Sequence, residues 1–210
     1  GNEVFSVVVE VHKGDLPSGI DFGDSVAIDT ETLGLKTLRD RLCVVQLSSG
    51  DGDCHIVQFP TADYNAPHLR RLINDQSVLK LFHFGRFDIA ALNHYLGTDC
   101  QPVYCTKIAS RLTRTYTDRH GLRDLCRELL GVDLSKEQQT SDWGAPELTE
   151  AQLEYAASDV LYLHRLKELL DAKLNREGRM QIAQAAYKFL PTRAAMDIAG
   201  FEDEDIFSHS

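Results

Sequence analysis

The stretch SVAIDTE, residues 25–31, poses the problem that the rest of the chain has to solve. Ser25 to Thr30 is mostly apolar and reads as a buried strand. It ends on Asp29 and Glu31, and residues i and i+2 of a strand share a face. Two acids side by side at the end of an apolar strand repel each other and lose hydration. The plain alternative is a strand that stops at Ile28, with both acids in water; these residues alone support the two readings equally.

Outward from that stretch, β-branched and apolar runs mark further strands: Val4 to Val11, ended by Lys13-Gly14-Asp15, then Leu42 to Leu47 and Val78 to Phe82. Cys54 to Phe59 returns after the turn Gly50-Asp51-Gly52-Asp53 and forms a hairpin with the 42–47 strand. Helices are expected over Pro67 to Asn74 and over Phe87 to Leu96, the latter stopped by Gly97. From Thr106 a 3.6-residue period takes over, in Thr106 to Leu112, Leu122 to Leu130 and Thr149 to about Asn175. Thr149 and Gln152 have the spacing of a capping box at the start of the last of these. A further helix is expected from Arg179 to Phe189, broken by Pro191. A strand-rich first half covered by helices from the second is an α/β domain. The polar stretch from 131 to 146 is a candidate active-site loop.

The chain has 210 residues, the size of one domain or one domain with an appendage. Its net charge is −10, which argues against gripping long nucleic acid through many phosphate contacts. A small anionic substrate held by metal ions is compatible with that charge. No apolar run reaches the roughly 18 residues of a membrane helix. The segment Gly1 to Glu10 carries acid and no basic leader, so no signal peptide is expected. The five cysteines make no C-x-x-C pair, which is the usage of a reduced, cytoplasmic protein.

Two more acids share the awkwardness of Asp29 and Glu31. Asp88 follows a buried strand at the start of a helix, where, taken alone, complementing the helix dipole is the better reading. In LEYAASDVLYL, Tyr155 and Asp159 are four apart on one helix face, close to the apolar stripe, where a simple hydrogen bond between them is the plain reading. Taken together, four carboxylates converging in one cleft call for divalent cations with oxygen ligands. A pair of such ions about 3.5–4 Å apart drives in-line phosphoryl displacement, which makes a two-metal phosphodiester hydrolase a plausible class.

These residues resemble the DEDD family of 3′-to-5′ exonucleases, which have an RNase H-like fold: Asp29-Thr30-Glu31 matches the first motif, Asp88 the second, and Tyr155 with Asp159 the third motif of the Tyr-bearing subgroup. KEQQTSDW, residues 136–143, is similar to a loop of the RNase D branch, and the likeness runs from about Val4 to Leu170. The chain ends at Ser210 without the helical modules that follow in RNase D proper, and in this it is similar to the short NrnC-type nanoRNases. The resemblance implies a mixed central sheet flanked by helices. It implies an exonuclease domain over residues 1–175 and a helical extension with an acidic tail over 176–210.

It further implies a metal-dependent exoribonuclease acting on short single-stranded RNA, dinucleotides in particular, in a ring-shaped homo-octamer. Two ions, Mg²⁺ or Mn²⁺, would be held by Asp29, Glu31, Asp88 and Asp159, with Tyr155 aiming the attacking water. Backbone groups near Thr30 and Thr32 would hold the terminal 3′-hydroxyl, and His83 and Phe84 would line the nucleotide pocket. Leu35 is either a wedge against the terminal base or ordinary core packing. Lys136 and Gln139 would contact the phosphate, the sugar or the active-site acids, whereas Trp143 reads as a buried loop anchor. Arg111, Arg114, Arg119 and His120 are either a solvated cluster or, in the sharper reading, a cap on a 5′-phosphate. Tyr187, Phe189, Leu190, Met196, Ile198, Phe201 and Ile206 are expected to form an assembly surface. General RNase D-like processing, a DNA-directed exonuclease and an inactive scaffold are the competing readings.

Overall fold

The computed structural model describes residues 7–209. Its strands are β1 (Val9–Lys13), β2 (Ser25–Thr32), β3 (Leu42–Ser48), β4 (Cys54–Gln58), β5 (Leu79–Phe82) and β6 (Val103–Cys105). Its helices are α1 (Pro67–Asn74), α2 (Gly85–Leu96), α3 (Thr106–Thr113), α4 (Leu122–Leu125), α5 (Glu150–Ser158), α6 (Leu163–Arg176) and α7 (Met180–Met196). A π-type turn continues α4 over Cys126–Leu130, and another continues α7 over Asp197–Phe201.

The strands form one mixed sheet in the order β1-β4-β3-β2-β5-β6. β2 and β3 pair antiparallel, as do β3 and β4, while β1 with β4, β2 with β5 and β5 with β6 are parallel. Every residue of β3 is buried, because helices cover both faces of the sheet there. Leu163, Leu166, Leu170 and Leu174 of α6 recur at helical spacing and are fully buried, so they form one stripe against the core. This is the RNase H-like α/β architecture expected from the sequence.

Several elements depart from the expectations. β2, expected over Ser25 to Thr30 with a stop at Ile28 as the alternative, runs through Asp29 and Glu31 and on to Thr32, held by its pairing with β3. β1 begins at Val9, and Val4 to Ser6 lie outside the described residues. β6 went unnoticed because three residues carry no period to read. The helix expected over 149–175 is two helices, with the break at residues 159–162. Pro191 does not end α7, which continues to Met196; Tyr187, Leu190 and Ala194 are buried on both sides of the proline, and this packing holds the helix together. α7 packs on α2, α3, α6 and β6.

Candidate active site

The site is made where β2 outruns its neighbour. β2 pairs with β5 only as far as Ala27 opposite Leu81, whereas its pairing with β3 continues past Asp29 and Glu31. A cleft therefore opens at the carboxyl ends of two parallel strands, where ligands bind in open α/β sheets. Asp29 and Glu31 share the face that looks into it. Gln46 stands opposite Asp29 in register and is fully buried, and its Nε2 donates to Asp29 Oδ2 and Glu31 Oε1, both at 3.3 Å.

After β5 the chain turns through Phe84, the one non-glycine residue with positive φ (57°) among those described. That left-handed conformation costs energy in a bulky residue and is a mark of functional sites. It starts α2 at once, with Gly85 so close to Phe82 that a Cβ there would lie 2.8 Å from the Phe82 Cβ. The first turn of α2 then carries Asp88, 3% exposed, whose Oδ1 accepts a hydrogen bond of 2.5 Å from Thr30 Oγ1. Asp159 comes from the other side. It caps the C-terminus of α5, where the helix dipole disfavours a carboxylate.

Carboxylate oxygens of Asp29, Glu31 and Asp159 lie within 4.8 Å of one another. Burial raises the pKa of Asp29, although the backbone amide of Thr30 and the neighbouring side chains oppose the rise. Glu31, Asp88 and Asp159 are pushed well above the usual carboxylate range, by burial first and then by the charge of Asp29. Buried acids that repel one another, with oxygen as the only donor type, form a donor set suited to hard divalent cations. The residues fit such ions.

Tyr155 lies on α5, half-buried, with its ring 5.9 Å from that of Trp143. Burial, then Asp159, raises its pKa, so it is a phenol at neutral pH. Trp143 itself is buried, the loop anchor expected. His83 donates to or accepts from Thr106 Oγ1 through Nδ1 at 2.8 Å, and burial pushes its pKa down to about 3, so it is neutral. His83, Phe84, Tyr155, Asp29 and Asp159 line a cleft of about 310 Å³, together with Lys136 and Gln139 from the 131–149 loop. Leu35 is 85% exposed on the loop after β2, which removes the core-packing reading. Thr32 lies at the end of β2, with its hydroxyl donated to the Gly34 carbonyl at 2.5 Å.

Of the arginine cluster, Arg114 is corrected, and none of Arg111, Arg114, Arg119 and His120 is among the residues lining this cleft. Arg114 is 3% exposed and is committed within the chain: it pairs with Glu128 and donates to Ser110 Oγ and the Arg119 carbonyl. It closes the turn after α3. His120 bonds Ser110 Oγ at 2.7 Å through Nδ1, and Arg111 is exposed and is not among the cleft residues. The cations that do line the cleft are Lys107, Arg123 and Lys136. Lys107 Nζ sits 4.7 Å above the Phe84 ring. Sequence reasoning missed Gln46, Lys107 and Arg123. Only Gln46 left a signal, as the lone amide inside the apolar run LCVVQL.

An RNase H-like sheet whose central strand feeds paired acids into a strand-end cleft defines a class of nucleases, and comparisons with known proteins agree. A family model described as 3′-5′ exonuclease matches residues 14–175. Ribonuclease D of Granulibacter bethesdensis is 34% identical over 156 residues, which cover 74% of this chain and 39% of that protein. The chain thus spans about two-fifths of the length of the curated relatives it matches. The structure of Brucella melitensis NrnC bound to pGG superposes with a TM-score of 0.95 at 57% identity, over 98% of this chain and 100% of that one. The same protein with bound Mg²⁺ gives 0.93 at 56% identity, over 97% and 100%. The chain belongs to the 3′-5′ exonuclease family, in its RNase D-like, NrnC-type branch.

Proposed function

We propose that this protein is a divalent-metal-dependent 3′-to-5′ exoribonuclease that hydrolyses short RNA, dinucleotides above all, to nucleoside 5′-monophosphates. The observation that carries this is the convergence of Asp29, Glu31 and Asp159 oxygens within 4.8 Å, beside buried Asp88, at a cleft of about 310 Å³. Asp29, Glu31, Asp88 and Asp159 would hold two ions, Mg²⁺ or Mn²⁺, which supply charge stabilisation for in-line displacement at phosphorus. Tyr155 hydrogen-bonds and aims the attacking water, its own proton retained. The water oxygen bonds to phosphorus and gives up a proton to solvent, the bond to the 3′-oxygen of the preceding nucleotide breaks, and that oxygen takes up a proton from solvent. A 5′-monophosphate and a free 3′-hydroxyl result.

The remaining residues position the substrate. Backbone groups at Thr30 and Thr32 take the terminal 3′-hydroxyl, Leu35 wedges against the terminal base, and exposed Phe84 offers a stacking face beside neutral His83. Lys136 and Gln139 reach the phosphate and sugar, and a 5′-phosphate cap falls to Lys107, Arg123 and Lys136. The exonuclease domain covers 1–175, with 176–210 as an extension packed against it. Self-association, as a ring-shaped homo-octamer, belongs to the same reading. It is supported by exposed Ile182, Phe201, Ile206 and Phe207, although Tyr187 and Leu190 turn out to be buried in the chain's own core. Five buried, unpaired cysteines support a reducing, cytoplasmic setting, and no described helix is long and apolar enough to cross a membrane.

The test is hydrolysis of a labelled RNA dinucleotide with Mg²⁺ or Mn²⁺, repeated in EDTA, with the deoxy dinucleotide alongside. Release of mononucleotide only with metal supports the proposal. Full activity in EDTA contradicts the mechanism, and exclusive cleavage of the deoxy substrate contradicts the substrate.

A further inference from the structure

A second cluster of metal-ligating side chains sits away from the cleft, at the free edge of the sheet. Among the described residues, β1 has a strand neighbour on one side only, β4. Glu10 and His12 are two apart on β1 and therefore share a face, and Glu10 stands directly opposite His55 of β4 in register. The three side chains meet. His12 Nε2 is 3.0 Å from His55 Nδ1, Glu10 Oε2 is 3.9 Å from His12 Nε2, and Glu10 Oε2 is 3.6 Å from His55 Nδ1. The imidazole rings stack with centroids 5.2 Å apart and planes 17° from parallel.

We propose that Glu10, His12 and His55 form a transition-metal site, of the Zn²⁺ class, that clips edge strand β1 onto β4. A tetrahedral zinc with bonds of about 2.0–2.1 Å needs ligand atoms about 3.3–3.4 Å apart. The observed separations, 3.0, 3.6 and 3.9 Å, bracket that value. A hydrogen bond accounts for one edge of this triangle. It leaves the Glu10 carboxylate 3.9 and 3.6 Å from the two imidazoles.

The donor chemistry separates this site from the catalytic one. Two imidazoles and one carboxylate suit Zn²⁺ and its neighbours, whereas the all-oxygen cluster at the end of β2 suits Mg²⁺ or Mn²⁺. Three protein ligands leave a fourth position for water. The clip also answers a structural need. An edge strand with one neighbour frays or pairs with other chains unless it is held, and β1 lacks any Pro.

The experiment uses the full chain, stripped with a chelator and dialysed, and titrated with Zn²⁺ alone by calorimetry at neutral pH. Wild type and Asp159→Asn are run beside His12→Ala, His55→Ala and Glu10→Gln. A zinc-binding step should be present in both wild type and Asp159→Asn, in addition to any binding by the carboxylates of the cleft, and raise the unfolding temperature of each. His12→Ala and His55→Ala should weaken binding by more than about tenfold, the loss typical even of an outer-sphere partner. If either alanine variant fails to fold, Glu10→Gln decides, since that side chain is largely exposed; it too should weaken binding. Undiminished zinc binding in a folded His12, His55 or Glu10 variant, or binding abolished by Asp159→Asn, would overturn the proposal. So would the absence of saturable zinc binding.

Discussion

Asp29 is the residue against which the other acids of the cleft are set, since its charge raises Glu31, Asp88 and Asp159 alike. Removing any one ligand charge while keeping its shape tests the cluster. Asp29→Asn, Glu31→Gln, Asp88→Asn and Asp159→Asn should each lower turnover by about three orders of magnitude or more, measured as kcat on a short RNA. Tyr155→Phe should keep Mn²⁺ binding but cut kcat roughly ten- to thousandfold, because only the aim of the water is lost. Arg114→Ala should act on stability, by about 1–3 kcal/mol, because it strands Ser110, Glu128 and the Arg119 carbonyl. Denaturant midpoints will tell; an Arg114 variant of full stability and altered substrate preference would restore its role as a phosphate cap. At this scale the acids were legible because buried-looking carboxylates conflict with their surroundings. Arg114 was misread because a surface cation and a turn-closing one look the same in a sequence, and Lys107 and Arg123 were invisible because nothing local marks a side chain as facing a cleft formed by distant elements.

The elements around the cleft carry its electrostatics. The folded-state pKa values of the four acids lie above those of the unfolded chain, so the metal-free folded protein binds more protons. Their contribution to stability is full below the ordinary carboxylate pKa of about 4 and is lost as pH rises through the raised values. Divalent ions favour the ionised acids and reverse the loss. Adding Mg²⁺ should therefore raise the unfolding temperature more at mildly alkaline than at mildly acidic pH, and Asp88→Asn should shrink that difference. An Mg²⁺ effect independent of pH would mean that the acids are not the site of binding. α5 positions both Tyr155 and Asp159, and its capping box is made in both directions: Gln152 N–H donates to Thr149 Oγ1 at 3.1 Å and Thr149 N–H to Gln152 Oε1 at 2.9 Å. Thr149→Ala should cost about 1 kcal/mol in unfolding free energy. That start was readable from two residues. The stop at Ser158 was not, since DVLYL holds no Gly or Pro and keeps its apolar period through the break. The break is tertiary in origin: Val160 is buried and Asp159 turns toward the acids of β2.

Charge and assembly belong to the whole molecule. A chain of net charge −10 repels a polyanion at long range, and the proposed function therefore has only the nucleotides nearest the acids and Lys107, Arg123 and Lys136 held. The sheet class and the order of its principal elements followed from periodicity, but the mode of assembly does not follow from periodicity, because a buried face and an interface face are both apolar. Tyr187 and Leu190 proved to be core, while Phe207 is 76% exposed and remains available to a partner copy. Phe207→Asp should give smaller particles by light scattering without loss of folding. The central claim, a nuclease for very short RNA, is tested most directly by kcat/KM for a 5′-phosphorylated RNA dinucleotide and for a 5′-phosphorylated RNA ten times its length, measured side by side with Mg²⁺ at one salt concentration. The account predicts the higher value for the dinucleotide; an equal or higher value for the longer RNA would contradict it.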